Sequence, residues 1–82
     1  MKIKPIRGDL QKYLQKHNLI KKYQKCYALF ISDPFYPSLH TELLEPRERA
    51  IYSFRLDKKY RALFIYTAQK EIEIIAFTNH YR

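Results

Sequence analysis

IYSFRLDKKYRALFIY (residues 51–66) and EIEIIAFTNHYR (residues 71–82) are the two stretches that decide the predicted fold. From residue 50 to residue 56, apolar and mixed positions alternate, so that one face of an extended segment is continuously apolar. Residues 60–66 are apolar on both faces except at Arg61, as in a central strand covered on both sides for part of its length. These patterns predict two neighbouring strands.

The segment that follows predicts a third strand. Residues 71–78 are rich in isoleucine, and residues 68–70 form the turn before them. The polar residues 57–59 supply a short connection between the first two strands, although no glycine is available there for the commonest two-residue hairpin turns. The C-terminal half is therefore predicted to be a three-stranded antiparallel meander.

The N-terminal half predicts a short strand and two helices. Residues 2–6 are the predicted strand, and because proline lacks a backbone donor, Pro5 places it at a sheet edge or lies at the end of the strand. Asp9 is the predicted cap of the first helix, and Asn18 suits its exit. Apolar residues at one-face spacing predict a second helix over about residues 19–31. Together the two helices form a helical hairpin.

Residues 33–49 contain three of the four prolines and show no sustained period, so we predict a loop with one helical turn around residues 40–44. At 82 residues the chain is long enough for one domain, and we assign residues 1–82 to it. The predicted fold class is α+β: a short N-terminal strand and a two-helix hairpin packed on one face of an antiparallel sheet.

The charge of the chain favours a polyanionic partner. Sixteen Lys and Arg stand against eight Asp and Glu, which gives a formal net charge of +8. In the first 25 residues, eight of these cations face only Asp9. Any single lysine is typical of a solvated helix face, but the total excess indicates a surface that attracts nucleic acid or an acidic protein.

Composition also excludes several classes of site. A single glycine, Gly8, excludes glycine-rich phosphate loops, so we expect no nucleotide cofactor. Cys26 is the only cysteine and has no metal-ligand spacing to the histidines, so we expect no internal disulfide and no metal site. No signal peptide and no apolar run near the roughly 20 residues of a membrane span are present. We therefore expect a cytoplasmic protein that has no membrane partner.

Two arginines are the first candidate site residues. Arg55 and Arg61 lie on either side of the predicted hairpin, and their equal parity allows both side chains to project from one sheet face. Two guanidinium groups on one face would bind a phosphate, because each offers a planar fork of donors and keeps its charge near neutral pH. The alternative is a structural pair that is solvated or bound to Asp57 and Glu73.

His80, Tyr81 and His40 complete the candidate set. His80 titrates near neutral pH and can donate or accept a proton, and Tyr81 can hydrogen-bond a phosphate or stack on a base. His40 lies in the proline-rich loop. For each of the two histidines a structural or exposed role is the alternative. If the ligand is RNA, arginines would stabilise the transition state of a metal-free cleavage and histidine would act as base or acid.

With these residues in place, the sequence resembles the RelE/ParE toxin superfamily of bacterial type II toxin-antitoxin modules, and most of all its RelE and YoeB branches. YSFRLDKKYRALFIY followed by EIEIIAFTNHYR is similar to the family's arginine strand, hairpin, second arginine strand and last strand ending in His-Tyr. PFYPSLHTELLEP (residues 34–46) resembles the leucine-containing segment that precedes this meander. The resemblance covers nearly the whole chain and implies the RelE-like fold.

The resemblance also implies a function. RelE- and YoeB-like toxins enter the ribosomal A site and cleave mRNA by 2′-hydroxyl attack, and a cognate antitoxin neutralises them. By position, Arg55 and Arg61 would hold the scissile phosphate, His80 would be the general acid, and Tyr81 would orient the RNA. The implied partners are the ribosome, mRNA and an acidic antitoxin in a hetero-oligomer. The antitoxin would cover the Arg55 and Arg61 face or pack along the N-terminal helices.

The sequence departs from the family at the general base. The glutamate of YoeB-like members falls on Pro37, and a nearby family lysine falls on His40. His40 is one candidate for the base, and Glu42 or Glu45 would serve if the loop shifts. Alternatively, catalysis rests on positioning and charge alone. The expected chain end is YoeB-like, with His80 and Tyr81 at the terminus.

Two other functions share these features. A ParE-like toxin inhibits DNA gyrase by binding, without enzymatic activity, and does not need the His-Tyr ending. A non-catalytic or decayed member of the family would bind nucleic acid only. Growth arrest on expression in bacteria separates the two toxin functions from the third one.

Overall fold

The computed structural model describes residues 1–79, and His80, Tyr81 and Arg82 lie outside the described residues. Within this range the strands and α-helices are β1 (Lys2–Ile3), α1 (Gly8–Lys16), α2 (Ile20–Ser32), β2 (Glu42–Leu43), β3 (Tyr52–Arg55), β4 (Arg61–Ala68) and β5 (Glu71–Thr78). The strands form one sheet in the order β1-β5-β4-β3-β2, in which β1 is parallel to β5 and the other pairs are antiparallel. The predicted α+β class is confirmed.

The core lies between the helices and one face of the sheet. Phe30 of α2 is fully buried, and its ring centroid lies 5.1 Å from that of Phe54 on β3 and 5.2 Å from that of Phe64 on β4. From α1 and the interhelical connection, Leu14 and Leu19 complete this layer with 1% of their surface exposed. Full burial of such side chains stabilises the fold by about 1.5–3 kcal/mol each.

The start of α1 differs from the prediction, whereas its end agrees with it. The predicted cap at Asp9 is wrong: α1 begins at Gly8, and Arg7 holds the cap position without a side-chain cap. The Asp9 carboxylate instead accepts a hydrogen bond from Arg7 at 3.0 Å, inside the first helical turn where the helix dipole favours negative charge. Asn18, as expected for an exit residue, adopts a left-handed conformation with φ of 56°.

The proline-rich loop contains more secondary structure than predicted. The expected helical turn at residues 40–44 is wrong, and a short 3₁₀ helix spans Pro37–Leu39 instead. Proline suits the first position of a helix, and the left-handed backbone of His40 (φ 45°) ends this one. The chain then forms β2, whose pairing with β3 the sequence pattern did not indicate. A second 3₁₀ helix, Arg47–Arg49, precedes β3.

No helix among residues 1–79 combines the length and the hydropathy needed to cross a membrane.

Candidate functional site

The arginine face is the sheet surface turned away from the helices, and we define it by Ser53, Arg55, Arg61 and Thr78. Arg55 pairs directly with Arg61 across β3 and β4, and Arg61 pairs with Thr78 across β4 and β5. Side chains of directly paired residues lie on the same face of a sheet. The prediction that both arginines share one face is therefore confirmed.

Arg61 is held in place by three neighbours. Its Nε and Nη2 donate to the Ser53 hydroxyl at 3.0 and 2.8 Å, and Nη2 also donates to the His40 carbonyl at 2.9 Å. Nη2 lies 3.6 Å from Glu42 Oε1, and only 15% of the arginine side chain is exposed. The Nη1 group takes part in none of these contacts. The guanidinium is thus fixed before any ligand binds.

Ser53 is the residue that sequence reasoning missed. It is fully buried and is the one polar residue in the buried set of the described chain. Its hydroxyl accepts both bonds from Arg61, so its burial costs little. A sequence signal did exist: Ser53 is the only small polar residue in β3, and it shares parity with Arg55.

Arg55 is held more loosely than its partner. It is half-buried, and its Nε donates to the backbone carbonyl of Asp57 at 3.2 Å. Among the ion pairs within residues 1–79, the side chains of Asp57 and Glu73, the alternative partners expected from sequence, pair with neither arginine. Asp57 binds Lys22, and Arg61 binds Glu42 on β2. Glu42 therefore joins the site through a strand that the sequence did not predict.

His40 reaches the site through its backbone. Its carbonyl accepts from Arg61, and its side chain is exposed at the end of the 3₁₀ helix. The other predicted residues, His80 and Tyr81, lie outside the described residues. β5 ends at Thr78, the pairing partner of Arg61. The described chain therefore brings together Arg55, Arg61 and His40 of the five predicted site residues.

A groove opens beside this site, and we call it the hairpin groove. It lies between α2, the 3₁₀ helix Pro37–Leu39 and the β3–β4 hairpin, and encloses about 460 Å³. Within the described chain β2 pairs only with Tyr52 and Ser53, so no strand covers the edge of β3 at Arg55. Arg55 and His40 line both the groove and the site, which makes the two continuous.

The walls of the groove carry cations over an apolar floor. Lys22 and Lys25 of α2 lie on one side, and Lys58 lies at the hairpin. The floor consists of Cys26, Leu29 and Leu56.

Cys26 joins α2 to the end of β3, because its Sγ lies 3.4 Å from the Arg55 carbonyl. Burial raises the pKa of this thiol, so it stays protonated near neutral pH. Cys26 thus belongs to the buried hydrophobic core.

Asp57 organises the hairpin at the end of the groove. Its Oδ1 accepts hydrogen bonds from the backbone N–H groups of Lys59 and Tyr60 at 2.8 and 2.7 Å, and its Oδ2 lies 2.6 Å from Lys22 Nζ. Burial raises the pKa of the Asp57 carboxyl, but the bonds from Lys22 and the two N–H groups outweigh it and lower the pKa overall. These bonds stabilise a turn that contains no glycine.

Metal-ligating side chains are dispersed in the part of the chain that the structure describes. Residues 1–79 contain no group of three or more His, Cys, Asp and Glu side chains that could hold a metal ion.

Comparisons with known proteins identify the fold. No protein-family model and no curated protein matches the chain. Among solved structures, a YoeB/ParE toxin from Agrobacterium tumefaciens is 19% identical, with a TM-score of 0.71 over 99% of this chain and 100% of that one. A chain of the heterotetrameric YoeB-YefM toxin-antitoxin complex from Staphylococcus aureus is also 19% identical, with a TM-score of 0.68 over 98% and 94%. The predicted resemblance is confirmed in the backbone: the chain has the fold of the YoeB/ParE toxins of the RelE/ParE superfamily.

Proposed function

We propose that this chain is the toxin of a type II toxin-antitoxin module and that it acts as a ribosome-dependent mRNA endonuclease, which inhibits translation. The observation that carries the proposal is the fixed guanidinium of Arg61 beside Arg55, on the face turned away from the helices in a YoeB/ParE toxin fold. Guanidinium groups bind phosphate oxygens through strong, charge-assisted hydrogen bonds. An RNA phosphate fits this arrangement.

The proposed reaction needs no cofactor. A base removes the proton of the 2′-hydroxyl, O2′ forms a bond to phosphorus, and the bond to the 5′-oxygen breaks as an acid protonates that oxygen. The products are a 2′,3′-cyclic phosphate and a 5′-hydroxyl end. Arg61 and Arg55 stabilise the charge that develops on the phosphorane-like transition state. We propose His80 as the acid and Tyr81 as the residue that orients the RNA.

Glu42 is our candidate for the general base. Its carboxylate lies 3.6 Å from Arg61 Nη2, and 60% of its side chain is exposed, so it can move when a phosphate binds Arg61. Its backbone stays paired with Ser53 in the sheet, which keeps the carboxylate near the reacting atoms. His40, which is exposed at the same site, is the alternative base. Pro37, at the family's glutamate position, has no group that can act as one.

The proposed partners follow from charge and from the fold. A chain with a net charge of +8 attracts both the ribosome with its mRNA and an acidic antitoxin. The solved structure from Staphylococcus aureus is a heterotetrameric toxin-antitoxin complex, which supports a hetero-oligomer here too. We propose that the protein acts in the cytoplasm.

Cleavage of mRNA on programmed ribosomes tests the enzyme proposal. We expect purified protein to cut a defined mRNA in the A site, with the ends mapped by primer extension. Arg61→Ala combined with His80→Ala should abolish cutting, and Lys16→Ala, which removes an exposed charge on α1, should leave it unchanged. No cleavage by the wild type would contradict the enzyme proposal, and full activity of the double variant would contradict the residue assignment.

Two glutamates of the same loop provide a matched test of the base. Glu42→Gln keeps the size of the side chain but removes the base, and we expect cleavage to slow by about 100-fold. Glu45→Gln, two residues beyond β2, should have no effect. Equal cleavage rates for both variants would mean that Glu42 is not the general base, and that His40 acts as the base or catalysis rests on positioning alone.

A ParE-like gyrase inhibitor is the second candidate function. The observation that favours it is the position of Pro37, where the YoeB-like glutamate is missing, together with the likeness to a protein described as a YoeB/ParE toxin. A DNA supercoiling assay with purified gyrase separates the two functions. Inhibition of supercoiling without mRNA cleavage would establish the second candidate, and expression without growth arrest would contradict both.

A further inference from the structure

We propose that the hairpin groove is an RNA subsite that binds the nucleotide next to the scissile phosphate. The base would lie on the apolar floor, and Lys25 and Lys58 would hold the phosphates on either side. This inference rests on the proposed endonuclease function and deepens it, because it assigns a second contact region to the same substrate.

The size and floor of the groove fit one nucleotide. Its volume of about 460 Å³ lies within the range of roughly 300–1,000 Å³ that is common for small-molecule sites. Cys26, Leu29 and Leu56 form a floor without charge, against which the flat face of a base can be buried. Cys26 and Leu56 are each 7% exposed, so this floor is already formed in the free protein.

The rim of the groove carries positive charge that is available to a ligand. Lys22 and Asp57 form an ion pair at 2.6 Å, so their charges largely neutralise each other. Lys25 and Lys58 are exposed, and neither forms an ion pair within residues 1–79. Asp57 is the one carboxylate among the described residues that line the groove. A polyanion would therefore meet two unneutralised lysines there.

Continuity with the arginine face decides in favour of RNA over an acidic peptide. Arg55 projects on the same face as Arg61 and also lines the groove. A strand whose scissile phosphate is bound at Arg61 would pass Arg55 and reach Lys25 and Lys58 without leaving the protein surface. The repeating phosphates of single-stranded RNA match such a row of cations.

Binding of a cleavage-blocked RNA tests the subsite apart from catalysis. The probe is a fluorescein-labelled RNA hexamer with 2′-O-methyl groups throughout, and fluorescence anisotropy is measured at a series of salt concentrations. Each phosphate contact contributes about 0.7 to the slope of log K against log salt for single strands. The Lys25→Ala, Lys58→Ala double variant should lower that slope by about 1.4 and weaken binding at least tenfold in low salt.

The matched control is Lys12→Ala, Lys16→Ala, which removes the same charge from exposed positions on α1 outside the groove. It should leave the slope within about 0.3 of the wild type, since a distant charge releases no counterion from a bound phosphate. Equal loss of slope in both double variants would overturn the proposal, because general charge would then explain the binding. Amide NMR spectra of each variant confirm that it is folded.

Methyl NMR tests the floor directly. Addition of the blocked hexamer should shift the methyl resonances of Leu29 and Leu56, and leave those of Leu14, on the buried side of α1, unchanged. Shifts confined to residues of the arginine face would overturn the subsite. Binding of a glutamate-rich peptide, but not of the RNA, with the same dependence on Lys25 and Lys58 would overturn it too and identify a protein-docking surface.

The two proposals fail in different ways. If the wild type does not cleave mRNA on ribosomes but the hexamer still binds through the groove, the endonuclease function fails and the RNA subsite stands. If cleavage depends on Arg61 but the slope of log K against log salt is unchanged in the Lys25→Ala, Lys58→Ala double variant, the endonuclease function stands and the RNA subsite fails.

Discussion

The two faces of the sheet have opposite character, although they belong to the same strands. On β3, Phe54 is fully buried against α2, whereas its neighbour Arg55 projects from the other face. On β4, Phe64 and Arg61 differ in the same way. Because side chains alternate along a strand, one set of positions stabilises the fold while the other set is available to bind a ligand.

Ser53 is the exception that connects the two faces. It projects on the arginine face, yet it is as inaccessible as the aromatic core, and its hydroxyl accepts two bonds from Arg61, which also bonds the His40 carbonyl. Arg61 is therefore held by a buried hydroxyl, whereas Arg55 is held by a half-buried backbone carbonyl in the hairpin. Mutations on each face should therefore affect stability and activity separately.

The largest effect should come from the core. Phe64→Ala removes a fully buried ring that contacts Phe30 and Phe54, and we expect the free energy of unfolding to fall by about 3–5 kcal/mol. Phe35→Ala is the matched control, since 62% of Phe35 is exposed, and should change it by less than about 0.5 kcal/mol. Urea denaturation followed by circular dichroism measures both. Similar losses would mean that the helix-packed face is not the source of stability.

Arg61 should give the largest effect on activity. Arg61→Lys keeps the charge, but a lysine cannot bond Ser53, the His40 carbonyl and a phosphate with one planar fork. We expect cleavage on programmed ribosomes to slow by about 100-fold under single-turnover conditions. Arg55→Lys, which loses one bond to a backbone carbonyl, should slow it by only about tenfold. The reverse order would contradict the idea that Arg61 is the fixed member of the pair.

Ser53→Ala tests the link between the faces. It removes the acceptor of two bonds from Arg61, and bonds to a charged group contribute about 1.5–3 kcal/mol, so we expect a loss of about 1.5 kcal/mol in unfolding free energy. Cleavage should also slow by about tenfold, mainly in kcat, because the guanidinium is no longer held. Ser32→Ala, at the exposed end of α2, is the control and should change neither quantity. Lost stability with unchanged kcat would make Ser53 purely structural.

Local patterns predicted most of the fold because the strands and helices follow them closely. The period-two segments became β3, β4 and β5, and the helical hairpin lies where apolar spacing indicated. The loop between α2 and β3 was predicted poorly, because β2 has two residues and its pairing with β3 is a long-range contact that no local period encodes. Asp9 is not the cap because α1 begins one residue earlier, at Gly8, so that Asp9 lies inside the first turn.

The site was predictable only where it lies on the strands. The parity of Arg55 and Arg61 is a local property, so their common face followed from sequence. Glu42 and the cations of the groove join the site through tertiary contacts between α2, β2 and the hairpin, which sequence spacing does not reveal. Ser53 shows the same limit, since its position in β3 and its parity with Arg55 are visible in the sequence, but its bonds to Arg61 are not.

The smallest expected effect concerns the hairpin, where α2 meets the end of β3. Lys22 and two backbone N–H groups lower the pKa of the Asp57 carboxyl in the folded state, despite the burial that raises it. A lowered pKa stabilises the fold at a pH above the ordinary carboxyl value, and this contribution is lost as the pH falls through the folded pKa. We expect it to be below about 1 kcal/mol, since Lys22 is largely exposed.

Unfolding free energies of the wild type and Asp57→Asn, measured from pH 7 down to pH 2, test this contribution. The difference between the two should be largest at neutral pH and should shrink below about pH 4, where the wild-type carboxyl becomes protonated. Lys22→Ala should reduce the pH dependence of the wild type, because it removes the strongest contact that favours the charged carboxylate. Lys21→Ala, the neighbouring exposed lysine, should retain it. If Lys21→Ala reduces it equally, the effect comes from the charge of α2 as a whole and not from the bond at the hairpin.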